Sequence, residues 1–99
     1  MALFHLHVTT PAGNIWDADA ESITACGVEG LFGVLANHAP MIAALKPGIL
    51  KVRVGNEAQY YSAGDGILEV RNDKQVVLLL DYADPYPTEA EAKAHLKSR

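Results

Sequence analysis

Residues 50–63 read Leu-Lys-Val-Arg-Val-Gly-Asn-Glu-Ala-Gln-Tyr-Tyr-Ser-Ala. Leu50, Val52 and Val54 alternate with Lys51 and Arg53, the period-two pattern of a strand with one face in a core. Gly55-Asn56 then separates that run from residues 57–63. A two-residue Gly-Asn link between strand-like runs is the mark of a β-hairpin. Working outward, the same grammar recurs. Phe4, Leu6 and Val8 alternate with His5, His7 and Thr9, and Pro11-Ala12-Gly13-Asn14 is a turn cluster. Residues 15–18 and 21–25 read as a pair of strands with weak patterning. Residues 67–71 and 74–81 flank Asn72-Asp73, a second tight turn built from residues that tolerate positive φ. Residues 76–80 are continuously apolar, which predicts a strand covered on both faces. Strand-sized pieces with turn residues between them predict an all-β sandwich or barrel.

The pattern changes at Pro85-Tyr86-Pro87, whose prolines oppose strand continuation. The expected division is a β-sandwich over 1–84 and a proline-led tail over 85–99. Thr88 stands as an N-cap with Glu91 three residues on, the spacing of a capping box. Acids lie early and Lys93 and Lys97 late, the order the helix dipole favours. One short helix is predicted there.

Composition removes several classes of function. The chain has 99 residues, 49% apolar and 20% charged, as in an ordinary globular domain. Eight basic residues against twelve acidic ones give a net charge of −4. Nucleic acids and anionic lipid surfaces, whose binding leans on basic residues that neutralise phosphates, are poor candidates as partners, and no nucleic-acid partner is expected. The longest apolar runs have five residues, against the roughly 20 of a membrane span. No signal or transit peptide is evident at the N-terminus. The single cysteine, Cys26, allows no internal disulfide and suits a reducing cytoplasm.

Chemistry is hard to assemble from this chain. Gly27, Gly30 and Gly33 have the spacing G-x-x-G-x-x-G, which is neither a dinucleotide fingerprint nor a phosphate loop. They read as glycines supplying positive φ in a shaped loop. His5 and His7 share one strand face and offer two metal ligands, but no acid or cysteine has a spacing that completes a site. Two polar residues on a solvent or subunit face is the reading that remains. Asp17, Asp19 and Glu21 alternate as a solvated face. Cys26 has no histidine partner and reads as a buried structural thiol. An enzyme using His5, His7 or His38 would need clustered, pocket-lining titratable groups, and none are patterned.

Residues 29–40 stand apart. Glu-Gly-Leu-Phe-Gly-Val-Leu-Ala-Asn-His-Ala-Pro is too long and too apolar for an ordinary turn; with its flank 41–44 it predicts an ordered loop that touches a partner, the alternative being a loop folded back over the end of its own core. With Glu29-Gly30, Phe32-Gly33-Val34, His38-Ala39-Pro40 and Ala44-Leu45-Lys46-Pro47-Gly48, the segment resembles the signature of the epsilon subunit of F-type ATP synthases. Gly66-Ile67-Leu68-Glu69-Val70 followed by residues 76–80 is similar to that family's final hairpin, and residues 4–10 match its opening. The resemblance covers residues 3 to about 84.

The resemblance implies a flattened ten-stranded β-sandwich followed here by one short helix. It implies a non-catalytic rotor subunit of the central stalk, coupling ion-driven rotation of the c-ring to ATP synthesis. Partners would be the gamma subunit and the c-ring, with no cofactor, metal or small-molecule substrate and no insertion into the bilayer. The location would be peripheral, on the cytoplasmic face of a bacterial plasma membrane. Glu29, Leu31 and His38 would face the c-ring or the gamma foot, with Phe32 and Pro40 in the same segment and Thr10 and Ala43 near gamma. Leu31 stands where the family often has an acid, so that contact would be more apolar. Ala36-Asn37 replaces the family's Pro-Gly, and Asn can hold a left-handed conformation. Many relatives continue into an inhibitory two-helix hairpin, some with an Asp-x-x-Arg-Ala nucleotide motif. This sequence carries neither, so inhibition by a helical arm and ATP sensing are not expected. The proton or sodium identity of the coupling ion stays open. A free-standing sandwich module with an unrelated partner is the rival reading.

Overall fold

The structure is a computed structural model, and it describes residues 2–71 and 74–96. Ten strands are present: β1 Phe4–Thr10, β2 Gly13–Ala20, β3 Ser22–Gly27, β4 Gly30–Leu35, β5 Met41–Leu45, β6 Gly48–Val54, β7 Glu57–Ala63, β8 Gly66–Val70, β9 Gln75–Leu80 and β10 Ala83–Tyr86. One helix, α1 (Glu89–Ala94), follows. The strands form a single sheet in the order β10-β7-β6-β3-β5-β8-β9-β1-β2, with β4 paired to β3 beside that path. The sheet folds over itself into a flattened, near-closed barrel. Its halves are joined where Gly27 of β3 meets Leu45 of β5. All pairs are antiparallel except β1 and β9, which run parallel with Leu6 beside Val76 and Val8 beside Leu78.

The hairpin expected at residues 50–63 is β6–β7, closing from Val54 opposite Glu57. Gly55 takes φ +60°, as the first central residue of a primed turn requires. Alternation then fills the interior. Leu6, Val8, Ile23, Val34, Val52, Leu68, Val76 and Leu78 are fully buried and face one another between the halves. Burying side chains of this kind stabilises the fold by about 1.5–3 kcal/mol each.

Several expectations are corrected. Residues 13–20 and 22–27 are strands, but β2 pairs with β1 while β3 pairs with β4, β5 and β6. The apolar run 76–80 is covered on one face only: Val76, Leu78 and Leu80 are buried, whereas Leu79 is exposed. Residues 30–35 are strand β4 rather than loop, because ladder bonds to β3 override the low strand propensity of Gly30 and Gly33. Of the three glycines there, only Gly30 has positive φ, at +133°. Cys26 is half-buried, since Ile23, Ala25 and Gly27 take the inward positions of β3. The Asn72-Asp73 turn lies outside the described residues.

Strand structure continues through Pro85, which pairs with Tyr61 on the sheet edge where a missing N–H is tolerated. Thr88 caps the helix as expected: the Glu91 N–H donates to Thr88 Oγ1 at 3.2 Å. The helix is pinned from beneath. Ala92 is fully buried, and the buried Ser62 hydroxyl on β7 donates to the Ala92 carbonyl. Tyr86 and His95 stack with ring centroids 4.6 Å apart.

Candidate functional site

Three features of the surface hold candidate side chains. The first is a strip of apolar side chains that the sheet turns outward. Residues directly opposite each other in a ladder share a face. Ala44 lies opposite Ile67, Ile67 opposite Leu79, and Leu79 beside Thr9, so one row crosses β5, β8, β9 and β1. The neighbouring row runs Ile42, Glu69, Val77, His7. Ile42 is 73% exposed, Leu79 51% and Ile67 49%. The only charge within these rows before His7 is Glu69, which takes a 3.3 Å hydrogen bond from Arg71.

The β3–β4 hairpin extends this strip. The Val28 N–H donates to the Ala44 carbonyl at 3.1 Å and clips the hairpin tip against β5. Val28 and Leu31 are exposed there, Leu31 at 72%. Between tip and β5 lies an open cleft of about 470 Å³, lined among others by Glu29, Leu31, Phe32, Ile42 and Ala43. The apolar surface is therefore continuous from Leu31 to Leu79. Exposed singly, such side chains are ordinary; gathered on one face they mark an interaction surface.

The structure brings together four of the seven residues singled out in the sequence, Glu29, Leu31, Phe32 and Ala43, around that cleft. Their orientations differ. Glu29 and Leu31 point to solvent, whereas Phe32 is half-buried against the core and Ala43 sits opposite the buried Leu68. Thr10 is half-buried at the β1–β2 turn, where its hydroxyl donates to the Gly13 carbonyl and accepts from the Ala12 N–H. His38 and Pro40 lie apart, at the other end of β4, roughly 17 Å along the strand at 3.3 Å per residue. There His38 Nδ1 donates to the Ala39 carbonyl at 2.8 Å, beside a separate cavity of about 280 Å³. Asn37 holds the loop at φ +70°, the left-handed conformation expected of it.

Ile42 and Ala44 lie in the segment 41–44 that the sequence joined to the partner surface, whereas Val28, Ile67 and Leu79 were not foreseen. A signal existed: in residues 66–70 both alternating positions of the strand core, Ile67 and Leu68, are large and apolar. One of them had to face outward.

The second feature is the acid pair set against the histidine pair. The β1–β2 register places Asp19 opposite His5 and Asp17 opposite His7. His5 Nε2 lies 2.6 Å from Asp17 Oδ1, and its Nδ1 3.5 Å from Asp19; His7 Nδ1 is 3.6 Å from Asp17. The hydrogen bond to Asp17 raises the His5 pKa above 6.5, and the same bond lowers that of Asp17. The group sits on an exposed face rather than in a pocket. Among the described residues no set of three or more His, Cys, Asp or Glu side chains is placed to hold a metal.

The third is an apolar groove beside α1, lined among others by Cys26, Leu31, Pro47, Ile49, Lys93 and Leu96. No helix among the described residues is long and apolar enough to cross a membrane.

Comparison with known proteins adds to this geometry. Residues 3–83 match the family model of the ATP synthase delta/epsilon chain, β-sandwich domain. The ATP synthase epsilon chain of Rhodopseudomonas palustris (strain TIE-1) is 40% identical over 87 residues, covering 88% of this chain and 64% of that protein. The sodium-ion-specific ATP synthase epsilon chain of Propionigenium modestum is 38% identical over 78 residues, 79% of this chain and 57% of that one. A chain in the OSCP/F1/c-ring structure of the Euglena gracilis mitochondrial ATP synthase superposes with a TM-score of 0.81 at 30% identity, over 95% of this chain and 62% of that one. A chain from the central stalk and c-ring of the Tetrahymena thermophila enzyme shares the fold, with a TM-score of 0.65 at 20% identity, over 80% of this chain and 63% of that one. The chain spans less than two thirds of the length of these relatives.

Proposed function

The chain belongs to the β-sandwich family of ATP synthase delta and epsilon chains, and from that premise we propose that it is a non-catalytic central-stalk subunit of an F-type ATP synthase. It binds the gamma subunit and the c-ring, turns with them, and passes ring rotation toward the catalytic head. The complex holds it at the cytoplasmic face of a bacterial plasma membrane, without any insertion of its own into the bilayer.

The observation that carries this reading is the continuous outward apolar strip from Leu31 to Leu79. A rotor component must be clamped on one side to a shaft and on another to a ring. The strip supplies a flat patch, Ile42, Ala44, Ile67 and Leu79, suited to the shaft. It also supplies a protruding tip, Val28, Glu29 and Leu31, suited to the polar loops of a ring. Thr9 borders the shaft patch beside Leu79, with Thr10 next to it at the β1–β2 turn, and Ala43 with Phe32 forms the floor of the cleft between the two. His38 and Pro40 make a separate contact at the far end of β4.

The test is reconstitution with a purified gamma–c-ring subcomplex. Leu79→Asp and Leu31→Asp should each reduce retention of the subunit, while the isolated domain still melts cooperatively. Retention unchanged in both variants, or a fall in melting temperature parallel to the loss of binding, would overturn the assignment of these surfaces.

A further inference from the structure

Among the described residues three strands have only one strand neighbour and so one wholly open edge: β2, β10 and β4. A bare edge presents unpaired N–H and C=O groups to any other strand, so stable proteins guard it. The β2 edge is guarded. It carries the exposed Asp17 and Asp19, its register slips at Val8/Thr9, and the Trp16 indole N–H takes up the Ala18 carbonyl at 3.1 Å. The β10 edge is guarded as well: it is four residues long and contains Asp84 and Pro85. Neither device is present on β4. Gly30–Leu35 reads Gly-Leu-Phe-Gly-Val-Leu, without charge or proline, and Leu31 and Leu35 are 72% and 63% exposed.

We infer that β4 is a strand-addition site and that its occupant, in the free subunit, is the β4 of a second copy. The strand is self-complementary about Gly33. Antiparallel pairing across a twofold axis at that residue sets Leu31 opposite the partner's Leu35, and Phe32 opposite the partner's Val34. Opposed residues share a face. The two leucine pairs therefore close over the outer side, and the inward Phe32 and Val34 adjoin on the inner side. Gly33, which has no side chain, sits on the axis where two strands approach most closely. Each chain carries a net charge of −4, yet the five paired residues of each strand, 31–35, carry none, so repulsion is small along this edge. An interface of one strand pair is small, which places it among weak, concentration-dependent associations. Because Leu31 also lies in the proposed rotor surface, the pairing belongs to the unassembled chain and gives way on assembly.

Sedimentation of the full chain over rising concentration tests this. The weight-average mass should climb from 10.6 kDa toward twice that value. Leu31→Lys with Leu35→Lys opposes like charges twice and should leave only monomer. Leu31→Lys with Leu35→Glu removes the same two leucines but opposes unlike charges twice, and should restore the dimer. Thermal melts of both variants verify folding. Wild-type protein that stays monomeric up to about 1 mM, a thousandfold above a micromolar complex, overturns the inference. So does a dimer equally strong in both double variants, which would place the contact elsewhere.

Discussion

Leu78 and Leu79 are chain neighbours on β9, and their truncation should produce opposite phenotypes. Leu78 is fully buried in the core, whereas Leu79 is 51% exposed on the outward strip. Leu78→Ala opens a cavity and should cost roughly 2–5 kcal/mol of folding stability. For a domain of this size each kcal/mol lowers the melting temperature by about 4–8 °C, so the drop should exceed about 8 °C. Leu79→Ala should leave the melt nearly unmoved. Complete burial of an exposed leucine is worth about 1.5–3 kcal/mol. About half of Leu79 is free to be covered by a partner, so its truncation should weaken binding by about 1 kcal/mol, roughly fivefold in Kd. Ile67, opposite it and 49% exposed, should add a similar loss. Ile67→Ala with Leu79→Ala should then cost about 2 kcal/mol, near thirtyfold. The assay pairs thermal melts with titration of the subunit onto immobilised gamma–c-ring subcomplex. Unchanged affinity in the Ile67/Leu79 double variant, or a melt depressed as far as that of Leu78→Ala, would refute the argument.

The other expectations concern local structure. Gly66→Ala should destabilise by about 3 kcal/mol or more, the upper range for overpacking, because a Cβ there would stand 2.1 Å from the Leu79 carbonyl oxygen; a denaturant midpoint reads it. Ser62→Ala removes the buried hydroxyl that α1 rests on and should speed amide exchange across residues 89–94, at a cost of about 1–3 kcal/mol. The His5 imidazole should titrate above 6.5 by NMR, and Asp17→Asn should bring it back down. The sign is fixed by both partners. A raised His5 stabilises the β1–β2 ribbon fully below 6.5 and loses that contribution as pH rises through its folded pKa. A lowered Asp17 contributes above 3.8 and fails as pH falls through its own folded value. Exchange protection of β1–β2 should therefore be greatest between these limits, and a flat profile would contradict the pairing.

Much of the architecture was legible because alternation and turn chemistry are local. The β6–β7 hairpin needed only Gly55-Asn56 and the Leu50-Val52-Val54 register. The Thr88–Glu91 cap needed four residues. What escaped was set by partners far along the chain. Residues 30–35 read as a loop because two glycines weaken any local strand signal, while the ladder that makes them β4 is supplied by β3. Asp17 and Asp19 could not be attached to His5 and His7 by spacing, since only the β1–β2 register opposes them. Leu79 looked like core because an apolar run carries no record of which face is covered. The candidate site was half visible for the same reason. Its hairpin tip and the flank with Ile42 and Ala44 lie within the one stretch 29–44, whereas Ile67 and Leu79 join them only once β5, β8 and β9 are hydrogen-bonded.

The parallel ladder between β1 and β9 has a consequence for synthesis. Residues 5–9 find their partners at residues 75–79, seventy positions later. During synthesis β1 must wait for β9. In that interval the β1–β2 ribbon holds Phe4, Leu6 and Val8 without the strand that covers them, while β6–β7 can already close on its own turn. Closing a loop of this length costs entropy before any contact rewards it, and topologies dominated by distant pairings fold slowly. Completion of the barrel is therefore a late event in folding. Until then the β1–β2 ribbon keeps one apolar face open to solvent or to a chaperone.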